Sequence, residues 1–264
     1  MASYISYQNL DFRIENETFY STKISLSAQA SVAPVLLSDG SLLNYAPEGA
    51  VVGSLNGNFY LTGALPSYFD ITGSYEAPIT VKFANVNITG VYPKSISFSV
   101  EPFQPVMVDF SCDWYGNVSV EDFSEESVST KSSKQIPQYI ANAYRSSLTT
   151  NNLDGVGYIN NFTYNASCDR PAFFKINEKF PFRIAKVNKA SSISLKSNKL
   201  GSLLDINGKT VSTVVTLKDL YGTSLQTFNV SGVMTSQNYE ISERTYMLTS
   251  ADISQTVPTI KTLV

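Results

Sequence analysis

The chain has no histidine in 264 residues. That removes the general base of Ser-His-Asp and Cys-His catalysis and the imidazole ligands of the usual zinc sites. Cysteine is nearly as scarce. Cys112 and Cys168 are the only two, too few for a disulfide framework. Both fall on apolar strand faces and read as buried free thiols, with a single bridge left open. Charged residues make up 16%, against about a quarter in an average soluble domain. The formal net charge is −3 and the pI about 5.1, so no basic footprint for nucleic acid is present. No apolar run approaches the length of a membrane span. The opening MASYISYQNLDF lacks the basic region and apolar core of a signal peptide. Asn-X-Ser/Thr triplets such as those at Asn87 and Asn165 follow from composition and are expected to stay unglycosylated.

What fills the space is apolar and hydroxyl-bearing. Hydrophobic residues are 43%, with 16 tyrosines and 15 phenylalanines, enough for one large or two ordinary domains. Serine, threonine and asparagine stand where Lys and Glu usually do. A surface of that kind tolerates extensive protein contact, because Lys and Glu are costly to bury.

The segment LPSYFDITG at 65–73 returns as LGSLLDING at 200–208. Leu65, Ser67, Asp70, Ile71 and Gly73 recur as Leu200, Ser202, Asp205, Ile206 and Gly208, at a constant offset of 135 residues. Each copy reads as a short helical turn or helix closed by a turn. Pro66 suits a first helical turn, and the Asp side chains suit the closing turn. In the second copy Asn207-Gly208 could equally join two strands. The flanks agree in order: ASVAP at 30–34 with ASCDRP at 166–171, then Ile96, Phe98 and Val100 with Phe228 and Val230. An internal duplication follows.

Elsewhere the period is 2, the mark of half-buried strands. Strands are expected over 3–14, 18–32, 50–62, 78–89 and 91–101. The clearest alternation runs over 105–115, where Val106, Val108, Phe110, Cys112 and Trp114 face one way and Met107, Asp109, Ser111, Asp113 and Tyr115 the other. Phe162, Tyr164, Ala166 and Cys168 alternate similarly, and further strands are expected near 190–197, 210–219, 224–234 and 244–254. The segment 135–148 reads as extended. Strands about ten residues apart, almost without helical periodicity, mean an all-β sandwich or barrel. The expected architecture is two tandem β-sandwich modules, residues 1–116 and 135–264, each with one short helical element. An acidic, serine-rich linker at 117–134 joins them.

Two stretches break the alternation. Leu36-Leu37 and Leu42-Leu43 flank Asp39-Gly40, a hairpin signal. Such an apolar tip either packs on its own domain or inserts into a neighbour. AFFKINEKFPFRIAKV at 172–187 is its counterpart in the second half. Lys175, Lys179, Arg183, Lys186 and Lys189 gather there and read as a solvated edge. Asp109 and Asp113 share a strand face, the one arrangement that points toward carboxylate chemistry. No constellation specifies a reaction, a metal or a cofactor, and no catalytic, cofactor-binding or metal-ligating residue is expected.

ITGVYPKSISFSVEPFQPVMVDFSCDWYG at 88–116, with the N-terminal run and the ASCDRPAFF phrase, resembles structural proteins of tailed bacteriophages of the tail-tube type. The resemblance implies a non-enzymatic virion protein made in the host cytoplasm. Its copies would form rings, a trimer as a pseudo-hexamer or a hexamer, that contact other virion proteins. The rings would stack into a channel that genomic DNA passes through, with no membrane involved. Because the leucine pairs flank a tight turn and break the alternation, and a stacking ring would cover them, the assembly contact is expected at Leu36, Leu37, Leu42 and Leu43. No acidic stripe for a lumen is evident, so a capsid decoration, tail terminator or baseplate ring protein remains an alternative. A carbohydrate- or surface-binding β-sandwich, using the tyrosines and asparagines, and a carboxylate hydrolase are the competing classes.

Overall fold

A computed structural model describes residues 12–29, 32–47, 52–83, 85–120, 142–151, 159–176, 178, 180–197, 210–240 and 248–257, and every structural statement concerns these. They are almost wholly antiparallel β-structure. The period-2 stretches form strands because each presents a branched or aromatic residue to one side and a hydroxyl or amide to the other.

In the first half β3 (Lys23–Gln29) pairs with β6 (Val52–Tyr60), and β6 with β9 (Met107–Trp114). β9 pairs with β8 (Val86–Val100), and β8 with β7 (Ile79–Phe83). β1 (Phe12–Ile14) adds to β7, and β2 (Glu17–Phe19) to β1. β10 (Val118–Val120) extends the same edge of β8 that β9 occupies. In the second half β12 (Ile159–Asp169) pairs with β15 (Val187–Ser197), and β15 with β18 (Leu248–Val257). β18 pairs with β17 (Ser224–Glu240), β17 with β16 (Thr210–Lys218), and β16 with β11 (Asn142–Asn151). The pairing order is thus the same in both halves. A hairpin also sits at the same place in each: β4 (Val32–Leu36) with β5 (Leu42–Pro47), and β13 (Ala172–Phe173) with β14 (Arg183–Ile184).

One strand pair joins the halves. The last six residues of β8 lie against β12, Val100 opposite Phe162 and Ser95 opposite Ser167. The sheet therefore runs from β3 through β8 and β12 to β17.

β8 and β17 are the long, bent strands. Val91 pairs with Ile79 on one edge and Trp114 on the other; Val233 pairs with Thr210 and Ser254 in the same way. Each strand hands over from one neighbour to the next at that point. The sequence pattern splits β8 into two strands near residue 90; the structure keeps it whole, because Gly90 takes a φ of 71° that a side chain would strain. Each long strand then bulges once, at Lys94 and at Thr235. The residues just before the bulges occupy matching rows: Leu26–Leu55–Cys112–Pro93 and Tyr164–Ile193–Ile253–Met234. A bulge is also where a strand proline is tolerated, which fits Pro93.

The core gathers in two aromatic clusters. Phe12, Phe19, Phe59, Phe69 and Phe110 form the first, Phe12 stacking on Phe110 at 5.7 Å as the β1–β7 wing covers β6 and β9. Phe98, Phe162, Tyr164 and Phe228 form the second, at 4.8–6.3 Å. Phe98 belongs to the first half, so this core is shared. The phrase match that aligns Phe98 with Phe228 is corrected here: Phe98 lies on β8 beyond its bulge and Phe228 on β17 before its own, and the two rings touch at 4.8 Å. Val106, Val108, Phe110 and Cys112 are buried as the alternation predicts. Gly53 lies beneath the Trp114 ring, where a Cβ would meet the indole. The helical element expected over 65–71 is a single 3-10 turn at Ser67–Phe69, placing Phe69 in the core. Its counterpart at 200–208 lies outside the described residues, as do 121–134 of the expected linker and 135–141 of the segment read as extended.

Candidate assembly surface

The two hairpins pair only with themselves. In the first, Leu37 N–H donates to Ser41 O at 2.8 Å and Gly40 N–H to Leu37 O at 2.9 Å. Asp39 Oδ1 accepts from Ser41 N–H and Oγ–H at 2.9 and 2.6 Å. Those bonds hold the Asp39 carboxyl below its ordinary range. The turn is closed without tertiary help, and its apolar side chains point outward. Leu36, Leu37, Leu42 and Leu43 are 47–62% exposed, and Val32, Val35 and Tyr45 are exposed beside them. The second hairpin exposes Phe173, Phe174, Ile176 and Phe182, with Lys175 Nζ over the Phe182 ring at 4.7 Å. The four leucines are one surface on one arm. The second arm exposes large apolar side chains as well, and its signal was legible as the matching apolar stretch at 172–187. Contiguous exposed apolar surface is uncommon on monomeric soluble proteins.

The halves are clasped where these arms arise. Lys186 is buried, not on a solvated edge. Its Nζ donates to the carbonyls of Asp70, Gly73 and Tyr75 at 2.9, 3.1 and 3.2 Å. Burial, then the nearby Arg170 guanidinium, pushes its pKa down. The loop it holds is pre-formed by Asp70, whose Oδ1 accepts from Gly73 N–H at 2.9 Å. Arg170 is buried beside it; its Nε donates to Pro93 O at 2.9 Å, and the guanidinium lies 5.8 Å from the Tyr92 ring centroid. Leu65 N–H donates to Gln226 Oε1 at 2.8 Å. Lys186, which sequence reasoning gave to solvent, and Arg170 thus fasten one half to the other.

The face of the sheet away from the core is polar and continuous. One row runs Lys23–Asn58–Asp109–Ser97–Asn165–Ser192–Ser254 across seven strands. The next runs Ser25–Asn56–Ser111–Ser95–Ser167–Ala190. A third runs Ser99–Thr163–Ser194–Asp252–Ser236. The charged side chains in these rows are Lys23, Asp109 and Asp252. Hydroxyls bridge the strands: Ser27 with Ser54 at 2.7 Å, Ser99 with Thr163 at 2.8 Å, and Ser236 with Asp252.

No family model and no curated protein matches the chain. The residues themselves must carry the functional reading. Asp109 and Asp113 stand four residues apart on one strand, about 13 Å at 3.3 Å per residue. Paired carboxylates that cleave glycosides sit roughly 5–9.5 Å apart, so the structure does not bring these two together. Asp113 is instead paired with Lys94 at 3.3 Å. Cys112 and Cys168 are free and buried, and burial pushes both thiols up. Among the described residues no three His, Cys, Asp or Glu side chains gather as a metal site, and no helix is long and apolar enough to cross a membrane.

Proposed function

We propose that this is a non-enzymatic structural protein of a bacteriophage virion, of the tail-tube type. Copies associate into rings that stack, and DNA passes through the channel. The observation that supports it is the repeated pairing order, with bulges and core rows in register, in two halves joined edge to edge. We take this as a tandem duplication of one β-sandwich module. A chain of two like modules joined head to tail has the form of two neighbouring units in an assembly that repeats by rotation.

The polar rows and the arms fit this reading. DNA is retained by Lys and Arg that neutralise phosphates. A lining of short hydroxyls and amides with few charges lets a polyanion pass without holding it. The arms offer apolar contacts to a neighbouring subunit or ring, and the leucine pairs are the surface assigned to that role. Negative-stain electron microscopy of the purified protein tests the proposal. Rings or tubes are expected. Discrete single chains would overturn it and favour a carbohydrate- or surface-binding sandwich.

A further inference from the structure

Inside the chain, the edge of β8 beyond its bulge is filled by β12, the strand that opens the second half's series. β17 has the same edge. Beyond Thr235 it keeps β18 on one side, and on the side where β16 ends no strand pairs with it among the described residues. β3, the first half's counterpart of β12, pairs with β6 and has no strand on its outer edge among the described residues. The side chains record the difference. Phe162, Tyr164 and Ala166 on β12 are buried, while Ile24 and Leu26 in the matching places on β3 are half-buried and Ala28 is exposed. On β12, Phe162 and Tyr164 pack against Phe98 of β8, and Tyr164 also against Phe228 of β17.

We infer that β17 of one copy pairs antiparallel with β3 of the next, repeating between chains the β8–β12 join made within one. This deepens the ring reading above and rests on it by naming the edge through which copies meet. The register follows from the matched rows, which set Met234 with Pro93 and Leu26 with Tyr164. Ser97 lies opposite Asn165 and Ser95 opposite Ser167 within the chain. Between chains Asn238 therefore lies opposite Ser27, and Ser236 opposite Gln29, on the polar face. Tyr239 takes the position opposite Leu26. The two edges differ, so the contact is heterologous and propagates in one rotational sense until it closes. It also hides two open strand edges that would otherwise template irregular aggregation.

Thiol cross-linking tests this on the full chain. Ser27 and Asn238 are exposed, so Ser27→Cys with Asn238→Cys leaves the core untouched. The native thiols are buried and slow to react. Directly opposed residues have Cβ atoms about 4.5–5.5 Å apart, within reach of a short bismaleimide. A ladder of species at multiples of 29.0 kDa on a denaturing gel is expected. Ser27→Cys with Gln237→Cys, a step that moves one thiol to the other face, should stay at the single-chain position. Rings or tubes in the microscope without the ladder, or cross-links confined to one chain, would overturn the edge and leave the ring reading standing. Unmodified protein that forms no assembly would overturn both.

Discussion

Phe110 is the residue on which the first core turns. It touches Phe12, Phe59 and Phe69, so truncation leaves a cavity that three large rings cannot fill. Phe110→Ala should cost about 3–5 kcal/mol, read as a lower denaturation midpoint. The buried tyrosines and thiols set the response to alkali. Burial raises Tyr68, Tyr92 and Tyr115 above the ordinary 10.0, pushes Tyr164 up to about 12, and raises Cys112 and Cys168 above 9.0. A group with a raised folded pKa keeps its proton after the unfolded chain has lost it, so stability falls as pH climbs past the unfolded value. Lys186, with a lowered pKa, acts in the opposite sense as pH approaches 10.5, one group against six. Tyr164 alone should remove on the order of 1 kcal/mol between pH 10 and 11. Denaturation midpoints that decline from pH 9 to 11 are the expected result.

At the scale of elements, what the sequence disclosed and what it hid divide along physical lines. Alternation over Val106–Trp114 and Phe162–Cys168 was legible because one face of each strand is buried and the other wet. The matched hairpins were legible because paired leucines and phenylalanines interrupt that period. The continuity of β8 was not, since a bend at Gly90 looks like a chain break when the neighbours that hold it are unknown. Nor was the burial of Lys186, whose three carbonyl partners lie more than a hundred residues away along the chain. The β8–β12 join is hidden for the same reason: non-local pairing leaves no local pattern. The first hairpin yields its own prediction. Its leucines are exposed and its turn self-sufficient, so Leu37→Ser with Leu42→Ser should change the unfolding midpoint by little, about 0.5 kcal/mol or less as for surface sites. Light scattering should show the assembly lost. A variant that assembles normally would remove the arm from the contact.

The whole molecule is one sheet system carrying two like series of strands, clasped by buried cations and joined through a single strand pair. Among the described residues its outward offerings are two apolar arms, two strand edges that no strand pairs with and a broad hydroxyl face. The central claim is that copies of this chain continue the internal join into a closed ring. Cryo-electron microscopy of the assembled protein tests it most directly. The account predicts a ring with two similar β lobes per chain, a sheet unbroken from lobe to lobe, and the serine and asparagine rows facing the channel. A ring whose lobes meet through other surfaces, or whose hydroxyl face lies on the outside, would contradict it.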